Sequence, residues 1–405
     1  MNCESFGSCG SCTLGEPYED QISYKKQLIG DKFREFFDGE FEFFASQPRN
    51  YRIRAEFGIW HDIWHSVFDL AYTMGGARSK KILINECPKV ALPIANLMPR
   101  LLEMLRRSEA LKEKLFGVEF ISCASGILAT LLYHKRLGER EQEAICELAG
   151  KLGITIMARA RRQKLLSGEL SLIDELCVDG RVYKFRFGEN AFIQPNRGVN
   201  EKMIAWARSC VDFGKEGTSE LCAAQNFAVK NSIAENFAAQ NSNCEQYAAR
   251  DLLELYCGHG NFTIPLATKF NRVLASEISK SSIANARINC ELNGVCNAQF
   301  VRLSADELMS AFARRREFER LKGIDIFSYD FSHVLIDPPR AGLEPSVIDF
   351  IKNFQNLIYI SCNPQTLFEN LRSLCATHEV QRFAIFDQFA HTAHIECGVL
   401  LKRRS

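Results

Sequence analysis

From about residue 185 the apolar residues of this chain fall into short runs separated by helix-length segments, and that alternation constrains the fold more than any other feature. DLLELYC at 251–257, RVLASE at 272–277, HVLIDPP at 333–339 and LIYIS at 357–361 read as strands. A segment from about Phe262 and SSIANARINCELNG at 281–294 read as helices. Strands spaced by helices imply a parallel, doubly wound α/β sheet, which places ligands in the crevice beyond its strand ends.

The residues before it follow another pattern. Residues 1–45 hold a Cys-rich start and a helical stretch around Tyr24 to Phe37. Across 46–180, YRIRAEFGIWHD, SVFDLAYT, KKILINECPKV and GVEFISCASGILATLLYHK read as strands and LPIANLMPRLLEMLRRS as an amphipathic helix, an α+β domain distinct from the sheet at 181–405. Between them, 214–250 is rich in Ala, Asn, Gln and Ser and repeats AAQN, the mark of an insertion or linker. With 405 residues the chain is long enough for two or three domains with real cores. No apolar run reaches membrane-spanning length and the N-terminus has no signal-peptide pattern, so a cytoplasmic protein is expected. The 16 scattered cysteines then read as reduced thiols rather than a disulfide framework. A net charge of +1 gives no global footprint for nucleic acid, so any such partner meets local basic patches.

The strand ends carry the chemistry. Gly258 and Gly260 end the first strand and let backbone approach a ligand closely. Glu277 ends RVLASE, where a carboxylate accepts hydrogen bonds from ribose hydroxyls. That acid suits a nicotinamide dinucleotide or S-adenosylmethionine, and the missing three-glycine pyrophosphate fingerprint favours the latter, which has no phosphate to cradle. Asp337, ahead of two prolines on what reads as the third strand, is held at the lip of the crevice. Cys362 lies between LIYIS and Pro364, on a strand-to-helix turn where a thiol can face a substrate, although free cysteines are commonly buried.

QPN at 194–196, ELYCGHGNF at 254–262, IDPPRAGL at 336–343, ISCNPQTL at 360–367 and DQFAHTAHIECGVLL at 387–401 together resemble the RNA uracil-5-methyltransferases. YRIRAEFGIWHD, LLYHKRLG at 131–138 and REFERLKGIDIFSYD at 316–330 resemble in particular the branch that acts on tRNA. The likeness runs from about Tyr18 to the end, outside the insertion. The chain departs from the family pattern at Ala390, where Pro is usual, and in its N-terminal cysteines.

The resemblance implies a C-terminal Rossmann-like S-adenosylmethionine-dependent methyltransferase domain with an N-terminal α+β RNA-binding domain. It puts cofactor contacts on Gln194, Tyr256, Asn261, Glu277 and Asp337, the nucleophile on Cys362 and the proton acceptor on Glu396. The implied reaction is methylation of the T-loop uridine at tRNA position 54, with the matching loop of transfer-messenger RNA as a second substrate and neither DNA nor membrane as a partner. Carbon 5 of uracil is too weak a nucleophile to take a methyl group unaided, so a thiolate adds at carbon 6 and a base later removes the carbon 5 proton. His391 and His394 flank Glu396 and are alternative proton carriers. Gln194 and Asn196 have amides suited to substrate edges.

A stacked uridine must be turned out to reach a thiol. Arg52, Arg54, Arg106, Arg107, Arg159, Arg161, Arg162 and Lys164, with Trp60 and Trp64 as stacking surfaces, are candidates to hold the RNA. Cys3, Cys9, Cys12 and Cys87 resemble the ligands of a [4Fe-4S] cluster in the related enzymes that methylate ribosomal RNA. Competing readings are that ribosomal RNA activity, an RNA-binding or RNA-folding protein, and a nicotinamide-dependent oxidoreductase.

Overall fold

The computed structural model describes residues 3–61, 70–76, 80–170, 172–187, 192–213 and 250–404. Residues 214–249 of the insertion, and Trp64, lie outside the described residues. The chain divides into two units. The first comprises 1–34, 41–202 and 384–396, and the second 35–40, 203–383 and 397–405.

In the first unit the elements run α1 (Tyr18–Phe33), β1 (Phe41–Phe44), β2 (Arg54–Trp60), β3 (Ala71–Gly75), β4 (Lys81–Ile84), α2 (Leu92–Arg107), α3 (Glu109–Lys112), β5 (Leu115–Cys123), β6 (Gly126–Tyr133), α4 (Glu139–Leu152), β7 (Thr155–Ala160), β8 (Gln163–Leu166), β9 (Leu172–Val178) and β10 (Arg181–Phe187). A seven-stranded sheet has the order β4-β3-β2-β5-β6-β7-β8, antiparallel except where α4 crosses between the parallel pair β6 and β7. One face of β2 buries Ala55, Phe57 and Ile59. Helix α2 turns Ile94, Leu97, Met98, Leu101 and Leu105 into the same core, as its three-and-four spacing dictates. Proline near its start and Arg106 and Arg107 in its last turn fit the ends of a helix. Asp179 and Gly180, both with positive φ, close the β9–β10 hairpin.

Helix α5 (Arg197–Val211) runs through the unit boundary. The second unit continues with β11 (Asp251–Leu255), α6 (Thr263–Ala267), β12 (Val273–Ser276), α7 (Lys280–Asn293), β13 (Ala298–Val301), α8 (Ala305–Phe312), β14 (Phe331–Ile336), α9 (Pro345–Ile351), β15 (Asn356–Ser361), α10 (Pro364–Leu374) and most of β16 (His378–Phe386) and β17 (Glu396–Arg403), whose residues 384–386 and 396 are counted with the first unit. Its strands follow the order β16-β17-β15-β14-β11-β12-β13. The pairs among β13, β12, β11, β14 and β15 are parallel, but β17 runs antiparallel to β15, so the sheet is Rossmann-like and mixed rather than wholly parallel. The strand ending at Asp337 is the fourth in chain order, because β13 precedes it. At four residues with only two of its positions buried, β13 carries a weak apolar signal.

Candidate active site

The turn after β11 is built for close approach. Tyr256, Gly258 and Gly260 have φ of 62°, 57° and 90°, a region that Gly enters freely and Tyr only under constraint. Asn289 holds the turn from α7 by donating Nδ2 to the carbonyl of His259 at 3.1 Å. Glu277, just past β12, accepts from the amide of Gly258 at 3.1 Å and that of Ser279 at 2.7 Å. Its carboxylate is thereby fixed beside the glycine turn. Asn261 follows Gly260 at the entry to α6.

Asp337 leaves β14 ahead of Pro338 and Pro339. It keeps some exposure at the mouth of the turn, but the surrounding protein desolvates its carboxyl and pushes it up to about 7. On β11, Glu254 is 1% exposed. Burial, with Asp337 adding to it, raises Glu254 to about 8. Cys257 is also raised, by burial and then by Glu254 and Glu277, so these acids share one neighbourhood. Glu254 is not among the residues singled out from the sequence, although an acid inside the otherwise apolar run LLELY is a visible signal.

Cys362 sits between the end of β15 and Pro364, the first residue of α10, and is half-buried. Asn363 caps α10 by accepting from the amide of Gln365 at 3.0 Å, and its own amide donates to the carbonyl of Arg340 at 3.0 Å. One side chain thus ties the thiol's turn to the loop of Asp337. The eleven-residue helix directs its partial positive end towards this turn, a setting that attracts an anion. The Tyr359 phenol, raised mainly by burial, is raised further by Tyr256, Cys362 and Asp337. The second unit therefore gathers Tyr256, Glu277, Asp337 and Cys362 at one end of its sheet.

β17 begins at Glu396, and its next residue, Cys397, pairs with Ser361 of β15. In sequence, Cys362 follows Ser361 and Glu396 precedes Cys397. Glu396 is 7% exposed.

Gln194 belongs to the first unit, where it accepts from Gln388 Nε2 at 3.1 Å, and both it and Asn196 are buried. Both ring nitrogens of His391 are engaged in that unit, with Gln21 at 3.0 Å and the Pro48 carbonyl at 2.8 Å, and burial lowers its pKa. That ring is a structural fixture. His394 is exposed.

Cys3, Cys9, Cys12 and Cys87 line one cavity of about 370 Å³. Burial raises the Cys12 thiol against the pull of the Lys89 ammonium. Among the described residues no three Cys, His, Asp or Glu side chains are grouped to hold a single metal ion. Of the basic residues, Arg106 donates to the carbonyl of Leu70, Arg107 pairs with Glu103 and Arg159 with Glu119 at 2.8 Å, whereas Arg161, Arg162 and Lys164 are exposed around the β7–β8 turn. Trp60 is 44% exposed beneath Lys81.

A family profile described as tRNA (Uracil-5-)-methyltransferase matches residues 17–240 and 225–404. The chain is 57% identical over 405 residues to the tRNA/tmRNA (uracil-C(5))-methyltransferase of Campylobacter concisus, covering all of both chains. It is 42% identical over 411 residues to the protein of the same name from a Sulfurovum species, again over the whole of both. Among solved structures, the Pyrococcus abyssi tRNA (uracil-54, C5)-methyltransferase in complex with S-adenosyl-L-homocysteine superposes with a TM-score of 0.65 at 18% identity, over 97% of this chain and 86% of that one.

Proposed function

This chain belongs to the tRNA (uracil-5-)-methyltransferase family, and on that premise we propose that it methylates carbon 5 of the T-loop uridine at tRNA position 54 and its counterpart in transfer-messenger RNA. The observation that carries the reading is the β15–β17 register. It supports a nucleophile at Cys362 and a base at Glu396, whose sequence neighbours Ser361 and Cys397 are paired. S-adenosylmethionine, when bound, supplies an electrophilic methyl group on a sulfonium. The fixed carboxylate of Glu277 suits its ribose hydroxyls, and the turn at Tyr256 to Asn261 and the acid at Asp337 complete a crevice without a phosphate cradle. Gln194 is the proposed cofactor contact from the first unit.

Cys362 adds to carbon 6, and the ring's electron density moves to carbon 5, which takes the methyl group. Glu396 then removes the carbon 5 proton, the double bond re-forms, and the bond from Cys362 sulfur to carbon 6 breaks. The exposed basic residues around the β7–β8 turn and Trp60 are proposed RNA contacts. Cys3, Cys9, Cys12 and Cys87 are proposed to hold a [4Fe-4S] cluster. Four thiols around one cavity fit a group in which each thiolate binds a different iron. Iron and sulfide analysis of protein purified without air tests this, and fully folded, iron-free protein refutes it.

Among the described residues no helix is long and apolar enough to cross a membrane; the proposed place of action is the cytoplasm. RNA bearing 5-fluorouridine in the T-loop tests the mechanism, because fluorine at carbon 5 blocks elimination. The expected result is a covalent complex with the native protein and none with Cys362→Ala. A transcript whose T-loop uridine is changed to cytidine and that is still methylated would sink the substrate assignment.

A further inference from the structure

Helix α1 grips the segment that leads to Glu396 through side chains for which the chemistry above has no use. Lys25 and Asp387 are fully buried and 2.7 Å apart, and Tyr18 donates to the other carboxylate oxygen at 2.8 Å. One turn earlier on α1, the Gln21 side chain accepts from the backbone amide of His391 and donates towards its Nδ1, both at 3.0 Å. The Pro48 carbonyl can only accept, so His391 Nε2 carries the ring proton and Nδ1 is the acceptor. His391 itself has φ of 65°, a conformation that the surrounding bonds must impose.

Bulk stability does not account for this arrangement. Removing two charges from water offsets most of their attraction, and an apolar pair of the same volume often serves as well. What a buried ion pair and a bidentate amide add is a defined path for the backbone they hold.

We infer that Gln21 and Lys25 are positioning residues for proton removal: acting through Asp387 and His391, they set the course of the segment that ends at Glu396. The inference rests on Glu396 being the base. If the base is displaced, Cys362 still adds and carbon 5 still takes its methyl group. The proton stays on carbon 5, the electron pair of that C–H bond cannot re-form the ring double bond, and the sulfur–carbon 6 bond persists. A methylated protein–RNA adduct then accumulates on ordinary uridine RNA.

The test uses Gln21→Leu, which strands no charge, and the double variant Lys25→Met with Asp387→Asn, which removes both charges together. Each is checked for folding by thermal melting with and without S-adenosylmethionine, then given T-loop RNA and methyl-labelled donor. The expected result is turnover lower by about tenfold or more with the KM for RNA little changed. Label is expected in a denaturant-stable adduct above the native level. Unchanged turnover, a loss of turnover with no adduct, or a failure of both variants to fold would overturn the inference. Native protein that forms no adduct with 5-fluorouridine RNA would instead overturn the mechanism beneath it.

Discussion

Glu254 is a carboxyl for which ionisation is costly. It is buried on β11, its Oε2 has no hydrogen-bond partner among the described residues, and its pKa stands at about 8 against an ordinary 4.5. Between those two values the folded state holds a proton that the unfolded state has released. The stability that this protonation contributes is complete below the unfolded pKa and is lost as pH rises through the folded one. Thermal melts of the ligand-free protein are therefore expected to weaken from about pH 5 to about pH 8, by an amount on the order of a few kcal/mol. Glu254→Gln, which stays neutral throughout, should flatten that dependence and melt higher than the native protein at the alkaline end. A slope unchanged by the substitution would clear Glu254 of the effect. Asp337, at about 7, gives a second expectation. A cationic methyl donor bound beside it, as proposed, would favour the ionised carboxylate, so binding near neutral pH should release protons. Calorimetry in two buffers of different ionisation heat would detect that release, and Asp337→Asn should remove it.

At the level of elements, two short turns set the geometry of the sheet's working end. A methyl group at Gly260 would lie 3.1 Å from Ile264 Cδ1, on a backbone with φ of 90°. Gly260→Ala should cost roughly 1–3 kcal/mol of stability. Its more telling effect should be a smaller rise in melting temperature on adding S-adenosylmethionine. Asn363→Ala removes both the cap of α10 and the tie to Arg340, and is expected to lower stability by about 0.5–2 kcal/mol. Its turnover should fall further than that of a capping loss in a helix remote from Cys362.

These turns were legible because their chemistry is local. Gly, Pro and Asn impose strand ends, helix starts and caps within a few residues, which is why the ends of β11, β12, β14 and β15 were recognisable in the sequence. β17 was not recognised as antiparallel, since strand direction depends on where the chain returns after β16. The hairpin of β9 and β10 lies outside the strands read above, although Asp179-Gly180 is a strong local signal. The clamp on His391 is hidden in the sequence for another reason. Its partners lie 370 residues apart, and a buried Gln and Lys on a helix's inner face look like surface residues until Gln21, Lys25, Ile29 and Phe33 are seen at four-residue spacing.

At the scale of the molecule, neither unit is a continuous piece of chain, and that has a consequence for dissection. A fragment ending at residue 202 holds every strand of the seven-stranded sheet and the core beneath it, yet it lacks 384–396, the remaining segment of its own unit. Without that segment Lys25 loses Asp387 and Gln21 loses His391. Removing one member of a buried ion pair costs about 3–5 kcal/mol, because the other charge is left without compensation. A typical domain has only about 5–15 kcal/mol of stability in all. The fragment 1–202 is therefore expected to melt far below the full chain, or without a cooperative transition, when followed by circular dichroism. Lys25→Met in the same fragment removes the stranded charge and should recover part of the loss, whereas in the full chain the same substitution strands Asp387 and should destabilise. That reversal of sign separates a role for the ion pair from a general effect of truncation. If the substitution acts in the same direction in both, the pair does not join the C-terminal segment to the first unit in the way its geometry implies.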